Sequence, residues 1–336
     1  MSTVRPAQRG LLFLGCLLAF VRWEPAPYDL FLIIIFLLYA RGLTWKSYQL
    51  VFVVLLGPLL FTHVPALGAA LEVAPERTLY YSLVTLYLAL SSVFFMSLPE
   101  RSVPLLLLGY EVGALLSGLL GVLAFLRIPG LEDLLWGGSR AVAFFKDPNV
   151  FGAFLIPALF LALARLEQGR KFWILPALIL FLGVLVSLSR GAWANFAVAL
   201  LAWWLLRPRK RIWLPLVLLT LAGGVGISVV VMPDNPIVQR LGFMPYDKER
   251  FFTQMEALSL ALTQPLGYGP GLSEIHLSYA THNTYVRFLA EVGWLGLFFW
   301  LLILGTSLIW SLYQGLKQQS FRHEVYFVSL LGIAVE

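Results

Sequence analysis

Uninterrupted apolar runs recur along almost the whole chain, and no other sequence feature constrains its fold as strongly. Runs of roughly 20 residues are long enough to cross the hydrocarbon core of a bilayer as helices. They do not show the alternation of apolar and polar residues that marks the strands of a membrane β-barrel. We therefore predict an all-α fold, a polytopic membrane helical bundle that forms a single integral membrane domain over residues 1–336.

The apolar runs predict about eleven transmembrane helices, of which the second and third are short for a full crossing. The predicted spans are residues 9–22, 28–40, 48–62, 78–98, 102–127, 149–166, 172–188, 191–206, 212–232, 284–313 and 323–336. The last run stops at the final residue, so we expect either a partial last helix or a truncated chain.

Composition excludes several other classes of protein. Hydrophobic residues make up 60% of the chain and charged residues only 12%, whereas a soluble domain has about 25% charged residues. The single Cys16 excludes an internal disulfide, and a zinc site built from cysteines would need more thiols. Glu111 lies inside the fifth predicted span, where a carboxyl group has to be paired or hydrogen-bonded, so we expect a structural role for it.

The basic residues predict which side of the membrane each loop faces. Short cytoplasmic loops are enriched in Lys and Arg, and a cytoplasmic N-terminus places more than half of the basic residues in inner segments. The strongest cluster, Arg207-Pro208-Arg209-Lys210-Arg211, is interpreted as a cytoplasmic anchor and not as a nucleic-acid site. The external side then holds the two longest loops, roughly 128–148 and 233–283.

A few basic residues stay on the predicted external side despite this rule, and such cations are candidates for binding an anion. They are Arg190, Arg240, Lys248, Arg250 and Arg287. Arg190 lies between two apolar runs with almost no loop. It is either an interfacial anchor beside Trp193 or a guanidinium that binds a phosphate at the membrane surface in a two-point geometry.

The external loop 233–283 contains an amphipathic segment at about 248–264, which we predict to be a helix resting on the bilayer surface. Its apolar face consists of Phe251, Met255, Leu258 and Leu262. Asp247 is a plausible N-cap, which would place Arg250 in the first turn. The helix amides and Arg250 would then face one anion together, although a solvated helix start would have the same sequence.

His282 precedes the tenth predicted span, and Thr281 or Asn283 is expected to cap that helix. A histidine near a helix N-terminus tends to stay neutral and can then accept a proton, but such a histidine taken alone is more often a capping or interfacial residue than a base. Arg287 and Glu291 follow on one helical stripe and are expected to pair with each other.

A fourth polar segment, Asp147-Pro148-Asn149, is expected to begin a helix with Asp147 as its N-cap. Polar residues beside the predicted helix starts could also line an external polar chamber. These residues are Lys146, Asn149, Asn283 and Arg287.

Taken together, these segments resemble the O-antigen ligase family, bacterial polytopic enzymes that include related O-antigen and exopolysaccharide polymerases. The resemblance covers roughly residues 75–315. It is carried by Asp147-Pro148-Asn149 with Gly152; Ser189-Arg190-Gly191; Arg250 and Pro265-Leu266-Gly267-Tyr268-Gly269; and His282-Asn283 with Glu291-Val292-Gly293-Trp294-Leu295-Gly296.

The resemblance implies a metal-independent, inverting glycosyl transfer at the outer (periplasmic) face of a bacterial plasma membrane, with no cofactor. The donor would be a glycan on undecaprenyl diphosphate, and the acceptor a glycolipid in ligases or another lipid-linked glycan in polymerases. Arg190 and Arg250 would hold the diphosphate, with Arg240 as a weaker third cation. His282 would take the proton of the acceptor hydroxyl.

Two alternatives to a ligase remain open at this point. A polymerase of the same family uses the same donor chemistry and differs only in its acceptor. A polysaccharide transporter or flippase would place its site near the bilayer midplane, often between repeated halves. Here the polar residues gather on one predicted face, and only Glu111 lies deep in a span, which favours the enzyme.

Overall fold

Helices make up nearly all of the regular structure in the computed structural model of the chain. The structure describes residues 6–39, 43, 45, 47–206, 240, 242, 245–277, 283–318 and 320–335. The helices in these residues are α1 (Pro6–Leu17), α2 (Pro27–Tyr39), α3 (Ser47–Phe61), α4 (Leu67–Val73), α5 (Pro75–Met96), α6 (Val103–Phe125), α7 (Pro148–Glu167), α8 (Ile174–Val186), α9 (Arg190–Leu206), α10 (Pro245–Thr263), α11 (Ser273–His276), α12 (Thr284–Gln318) and α13 (Phe321–Val335). One antiparallel pair of two-residue strands, β1 (Leu135–Trp136) and β2 (Arg140–Ala141), lies before α7. The predicted all-α fold is confirmed.

Within the described ranges, four helices are long and apolar enough to cross a membrane. They are α5, α6, α7 and α12, and each corresponds to a predicted span. Helices α2, α3 and α8 are apolar but shorter. The predicted span 212–232 and the basic cluster 207–211 lie outside the described residues, so the count of about eleven spans stays a prediction.

The chain divides into two compact units. The first consists of residues 1–41, 100–242 and 308–336, and the second of residues 42–99 and 243–307. Helix α12 begins in the second unit and ends in the first. The single integral membrane domain over residues 1–336 stays a prediction.

Small residues let helices approach closely in the first unit. A Cβ at Gly109 of α6 would lie 1.9 Å from the carbonyl oxygen of Leu12 in α1. Membrane helices associate mainly through such close packing, because lipid tails are as apolar as the side chains they replace. The core around α7 is filled by aromatic side chains, including the buried Phe145, Phe151 and Phe160.

The carboxylate of Glu111 is buried in the first unit and pairs with Arg165 of α7 through both oxygens. The Nη2–Oε2 distance is 2.7 Å, and the Arg165 guanidinium lies 4.1 Å from the centre of the Trp173 ring. Burying an unpaired carboxylate among apolar helices would be strongly destabilising. The expected structural hydrogen-bonding role of Glu111 is therefore confirmed.

The second unit packs α10 against the N-terminal part of α12. Its small core contains Ala257, Leu277 and Ala290, all less than 6% exposed. The short helix α4, which no apolar run predicted, connects α3 to α5. A hydrogen bond from Thr78 Oγ1 of α5 to the carbonyl oxygen of Ala70 links α4 to α5.

Candidate functional site

Asp147 is the N-cap of α7, as the sequence predicted. Its carboxylate accepts a hydrogen bond from the backbone N–H of Asn149 at 2.7 Å, and Pro148 is the first helical residue. Proline suits this position because the N–H groups of the first turn have no partner within the helix. Lys146 forms an ion pair with Glu24. That Lys146 lines an external polar chamber stays a prediction.

A buried arginine lies at this end of the first unit. Arg140, 8% exposed, donates from Nε to the carbonyl oxygen of Ser187 at 3.1 Å and from Nη2 to Oδ1 of Asn149 at 3.0 Å. Its guanidinium also lies 5.6 Å from the centre of the Trp136 ring. Arg140 thus joins the strand pair, the start of α7 and the end of α8.

The sequence motifs did not identify Arg140, because it lies in the loop 128–148 and belongs to none of them. The sequence feature that could have indicated a buried Arg140 is the apolar segment Ala141-Val142-Ala143 directly after it, which is buried in the structure. Asn149, expected as chamber lining, has its side-chain oxygen engaged by this arginine.

The turn from Ser187 to Arg190 connects α8 to α9. Leu188 has a φ of 50°, a left-handed conformation that residues with side chains rarely adopt. Ser189 caps α9, since its Oγ accepts a hydrogen bond from the N–H of Ala192 at 3.1 Å. Arg190 is the first residue of α9, and its Nη1 donates to the carbonyl oxygen of Gly242 at 3.3 Å.

Gly152 allows α7 to pack directly against this turn. A Cβ at Gly152 would lie 2.7 Å from both the Ser187 Oγ and the Ala192 Cβ. The structure therefore gives this motif glycine a packing role. A left-handed residue held in place by a buried arginine and a helix cap is typical of functional segments, where local strain is maintained by the surrounding structure.

Arg140→Lys is expected to lower the free energy of unfolding by about 1.5 to 3 kcal/mol, because a lysine cannot donate to Ser187 and Asn149 with the same fork. Thermal and denaturant unfolding of the purified protein in detergent would measure this loss. Arg22→Lys is the control, since Arg22 also donates to a loop carbonyl, that of Asp133 at 2.8 Å, but this hydrogen bond is exposed and the side chain is only half-buried. Its change should stay within about 0.5 kcal/mol; equal losses would contradict a special role for Arg140.

In the second unit, α10 begins at Pro245, three residues before the predicted start. The prediction that Asp247 is its N-cap is wrong, because Asp247 lies inside the first turn and is 6% exposed. Proline at the first helical position, favoured by its fixed φ, explains the earlier start. Arg250 consequently lies in the second turn of α10 and not in the first, and its predicted binding of an anion stays a prediction.

The two faces of α10 differ as the sequence pattern predicted. Thr253, Ala257 and Ala261 are buried, and Ala257 belongs to the small core of the second unit. The predicted apolar face is exposed, and its side chains are Phe251 (62% exposed), Met255 (66%), Leu258 (39%) and Leu262 (72%). An exposed apolar face opposite a packed small-residue face is expected of a helix lying at a bilayer surface.

The segment Pro265–Gly271 is bound through its backbone to α12. The N–H of Tyr268 donates to the carbonyl oxygen of Ala290, and that of Gly269 to Glu291, both at 2.9 Å. In return, the N–H of Trp294 donates to the carbonyl oxygen of Pro265 at 3.1 Å. Two sequence motifs that are far apart in the chain therefore form one structural element.

Gly293 makes this contact possible by interrupting α12. Its φ of 68° and ψ of −167° are not helical, and a Cβ there would lie 2.1 Å from the carbonyl oxygen of Pro265. Gly267 has a φ of 82°, and its Cβ would lie 2.4 Å from the carbonyl oxygen of Glu291. These motif glycines are thus required by backbone geometry.

Glu291 accepts two hydrogen bonds beside this interruption. Arg287 Nε donates to its Oε1 at 3.0 Å, which confirms the predicted pairing, and Ser273 Oγ donates to the same oxygen at 2.6 Å. Burial lowers the pKa of the nearby His63 imidazole, and the negative charge of Glu291 acts in the opposite direction. His63 and Ser273 were not identified from the sequence, because their proximity to Glu291 arises from chain folding.

Two arginines of the second unit share one aromatic ring. The guanidinium groups of Arg77 and Arg287 lie 5.2 Å and 4.6 Å from the centre of the Tyr81 ring. Arg77 also donates to the carbonyl oxygen of Gly271 at 2.5 Å and pairs with Glu274. These contacts fix the end of the Pro265–Gly271 segment against α5.

The residues with predicted chemical roles are distributed as follows. Arg190 and the half-buried Arg240 belong to the first unit, and Arg250 and Arg287 to the second. Asn283 caps α12, since its Oδ1 accepts a hydrogen bond from the N–H of Val286 at 3.0 Å. His282 lies outside the described residues. In the described part of the chain, no group of three or more His, Cys, Asp or Glu side chains could hold a metal ion.

Comparisons with known proteins bear directly on these segments. A search of curated proteins found no match to the chain. A family model described as O-antigen ligase matches residues 175–301, somewhat more than a third of the chain. The matched range contains Arg190, Arg250 and His282 as well as the bound Pro265–Gly271 segment, so this part of the chain is similar to the O-antigen ligase family.

Proposed function

We propose that the protein transfers a glycan from undecaprenyl diphosphate to an acceptor sugar hydroxyl at the outer face of a bacterial plasma membrane. The observation that carries this proposal is the family match over residues 175–301, which supports an O-antigen ligase-like function in surface polysaccharide assembly. The four apolar helices of membrane-spanning length are consistent with a lipid-linked donor.

In the proposed reaction, Arg190 and Arg250 bind the diphosphate, with Arg240 as a third cation. The acceptor oxygen attacks the anomeric carbon, and the bond from that carbon to the phosphate oxygen breaks, with its electron pair leaving on the diphosphate. Fixed guanidinium groups stabilise this developing charge in a site with little water. A diphosphate is a good leaving group, so the reaction needs neither a metal nor a general acid.

His282 is the proposed base, and it takes the proton of the acceptor hydroxyl as the new bond forms. A single displacement of this kind inverts the configuration at the anomeric carbon. Asn283, the cap of α12, follows His282 directly in the sequence.

The turn that begins α9 supports the assignment of Arg190. Arg140 and the Ser189 cap hold this turn, and Arg190 is the first residue after it. A guanidinium on a backbone fixed in this way needs little reorganisation to bind an anion. Its half-buried side chain is also accessible to a ligand.

Arg190→Lys is expected to reduce glycan transfer about 10-fold or more while leaving the yield of folded protein unchanged, because a lysine retains the charge but loses the two-point fork. Transfer from a lipid-linked donor would be measured in proteoliposomes. Arg127→Lys, a change at an exposed arginine of the same unit, is the matched control. Unimpaired transfer by Arg190→Lys would instead indicate an interfacial anchor.

The acceptor distinguishes a ligase from a polymerase, and deletion of the gene would distinguish them in cells. Loss of attached surface glycan with accumulation of long lipid-linked polymer would support the ligase. Accumulation of single lipid-linked repeat units would support the polymerase. A liposome flux assay that shows glycan movement without transfer would overturn both and indicate a flippase.

A further inference from the structure

A cavity of about 220 Å³ lies in the first unit. It lies near the C-terminal end of α7, whereas the Arg140 network lies at the N-terminal end of that helix. It opens between the start of α6, the end of α7 and the start of α13. Three arginines, Arg165, Arg170 and Arg322, contribute to its wall. None of them belongs to the residues proposed for glycan transfer.

One of these arginines is held in a fixed position. The fork of Arg165 binds the buried Glu111 carboxylate, and the guanidinium lies 4.1 Å from the centre of the Trp173 ring. Arg165 is therefore largely neutralised and forms a rigid part of the wall. Its remaining N–H groups stay available for a further acceptor.

The other two arginines supply the net positive charge of the cavity. Arg170 and Arg322 are exposed, and in the described residues their guanidinium groups form no hydrogen bond or ion pair. Within the same described ranges, no aspartate or glutamate lines the cavity. A doubly charged wall of this kind attracts an anion.

Apart from Gln168, the rest of the wall is apolar, and this restricts the kind of anion. Leu107, Leu161 and Phe321 line the cavity beside the arginines, and both α6 and α7 are candidate membrane spans. The volume is below the roughly 300 to 1,000 Å³ of typical small-molecule sites. It suits a phosphate-bearing headgroup whose acyl chains would continue along the apolar helices.

We propose that this cavity binds the phosphate group of an anionic phospholipid headgroup. Basic pockets between membrane helices recognise such headgroups through charge, while the apolar lining accepts the start of the acyl chains. Arg170 and Arg322 bind the phosphate oxygens, and Arg165 contributes a fixed donor. The site is separate from the proposed transfer reaction, so either can fail without affecting the other.

The test uses the purified full chain in detergent and short-chain phosphatidylglycerol as the probe, with bound lipid quantified by native mass spectrometry. The double variant R170Q/R322Q is expected to bind phosphatidylglycerol roughly 10- to 30-fold more weakly than the unmodified protein. The matched control is R101Q/K171Q, which removes two exposed charges beside the same helix ends without altering the cavity wall. Its binding should change less than about two-fold.

Equal weakening in both double variants would overturn the proposal, because it would indicate attraction by the overall surface charge. Phosphatidylcholine, which has no net charge, should not bind detectably at the same concentration. Competition with inorganic phosphate tests whether the cavity binds a lipid headgroup or a free phosphate ion. If it displaces phosphatidylglycerol at equal concentration, the site binds a soluble anion and the lipid assignment is overturned.

Discussion

His282→Ala is expected to reduce glycan transfer by about 10²- to 10⁴-fold, the usual contribution of a general base. The protein should still insert into membranes and bind the lipid-linked donor, because the proposed diphosphate ligands Arg190 and Arg250 are retained. Transfer and donor binding would be measured on the same proteoliposome preparation. A loss of both would point to misfolding rather than to loss of a base.

His323→Ala is the matched control, because His323 lies on α13 and has no role in the proposed reaction. Its transfer rate should equal that of the unmodified protein. Added imidazole should partly restore transfer in the His282→Ala protein, since a small base could occupy the space of the missing ring. Full activity of His282→Ala without imidazole would refute the proposed mechanism but not the similarity of residues 175–301 to the O-antigen ligase family.

Gly293→Ala is expected to destabilise the protein by about 3 kcal/mol or more. The backbone at Gly293 has a φ of 68° and a ψ of −167°, a combination that is essentially restricted to glycine. The added Cβ would also lie 2.1 Å from the carbonyl oxygen of Pro265, which cannot move without releasing the bound segment. Thermal unfolding and the monodisperse yield from size-exclusion chromatography would measure the effect.

Gly305→Ala provides a control on the same helix. Gly305 lies in the regular part of α12, and a Cβ there would have no neighbour within 4 Å. Alanine is the better helix former by about 1 kcal/mol, so this variant should be unchanged or slightly more stable. Similar losses for both variants would show that α12 tolerates no substitution of glycine and that the interruption at Gly293 has no special importance.

Local features of this fold follow well from the sequence. The caps Asp147 and Asn283 and the pair Arg287–Glu291 depend on residues at most four positions apart, where helix geometry alone determines the contact. The start of α10 was misplaced because two local signals compete there. Asp247 is a good cap and Pro245 a good first residue, and the proline prevailed.

Long-range features of the candidate site could not be predicted in the same way. Arg140 binds a carbonyl oxygen 47 residues away, and Ser273 binds a carboxylate 18 residues away. Such contacts depend on which helix ends meet, and apolar periodicity carries no information about this. The resemblance to a family pointed to these segments but gave no physical reason for their glycines.

The interruption at Gly293 also has an evolutionary consequence. Carbonyl oxygens of Ala290 and Glu291 receive their hydrogen bonds from the distant Tyr268 and Gly269. Residues that share such bonds show non-additive substitution effects. A substitution in the Pro265–Gly271 segment would therefore change which substitutions are tolerated near Gly293 of α12, and the reverse also holds. We expect the two segments to co-vary among homologous chains.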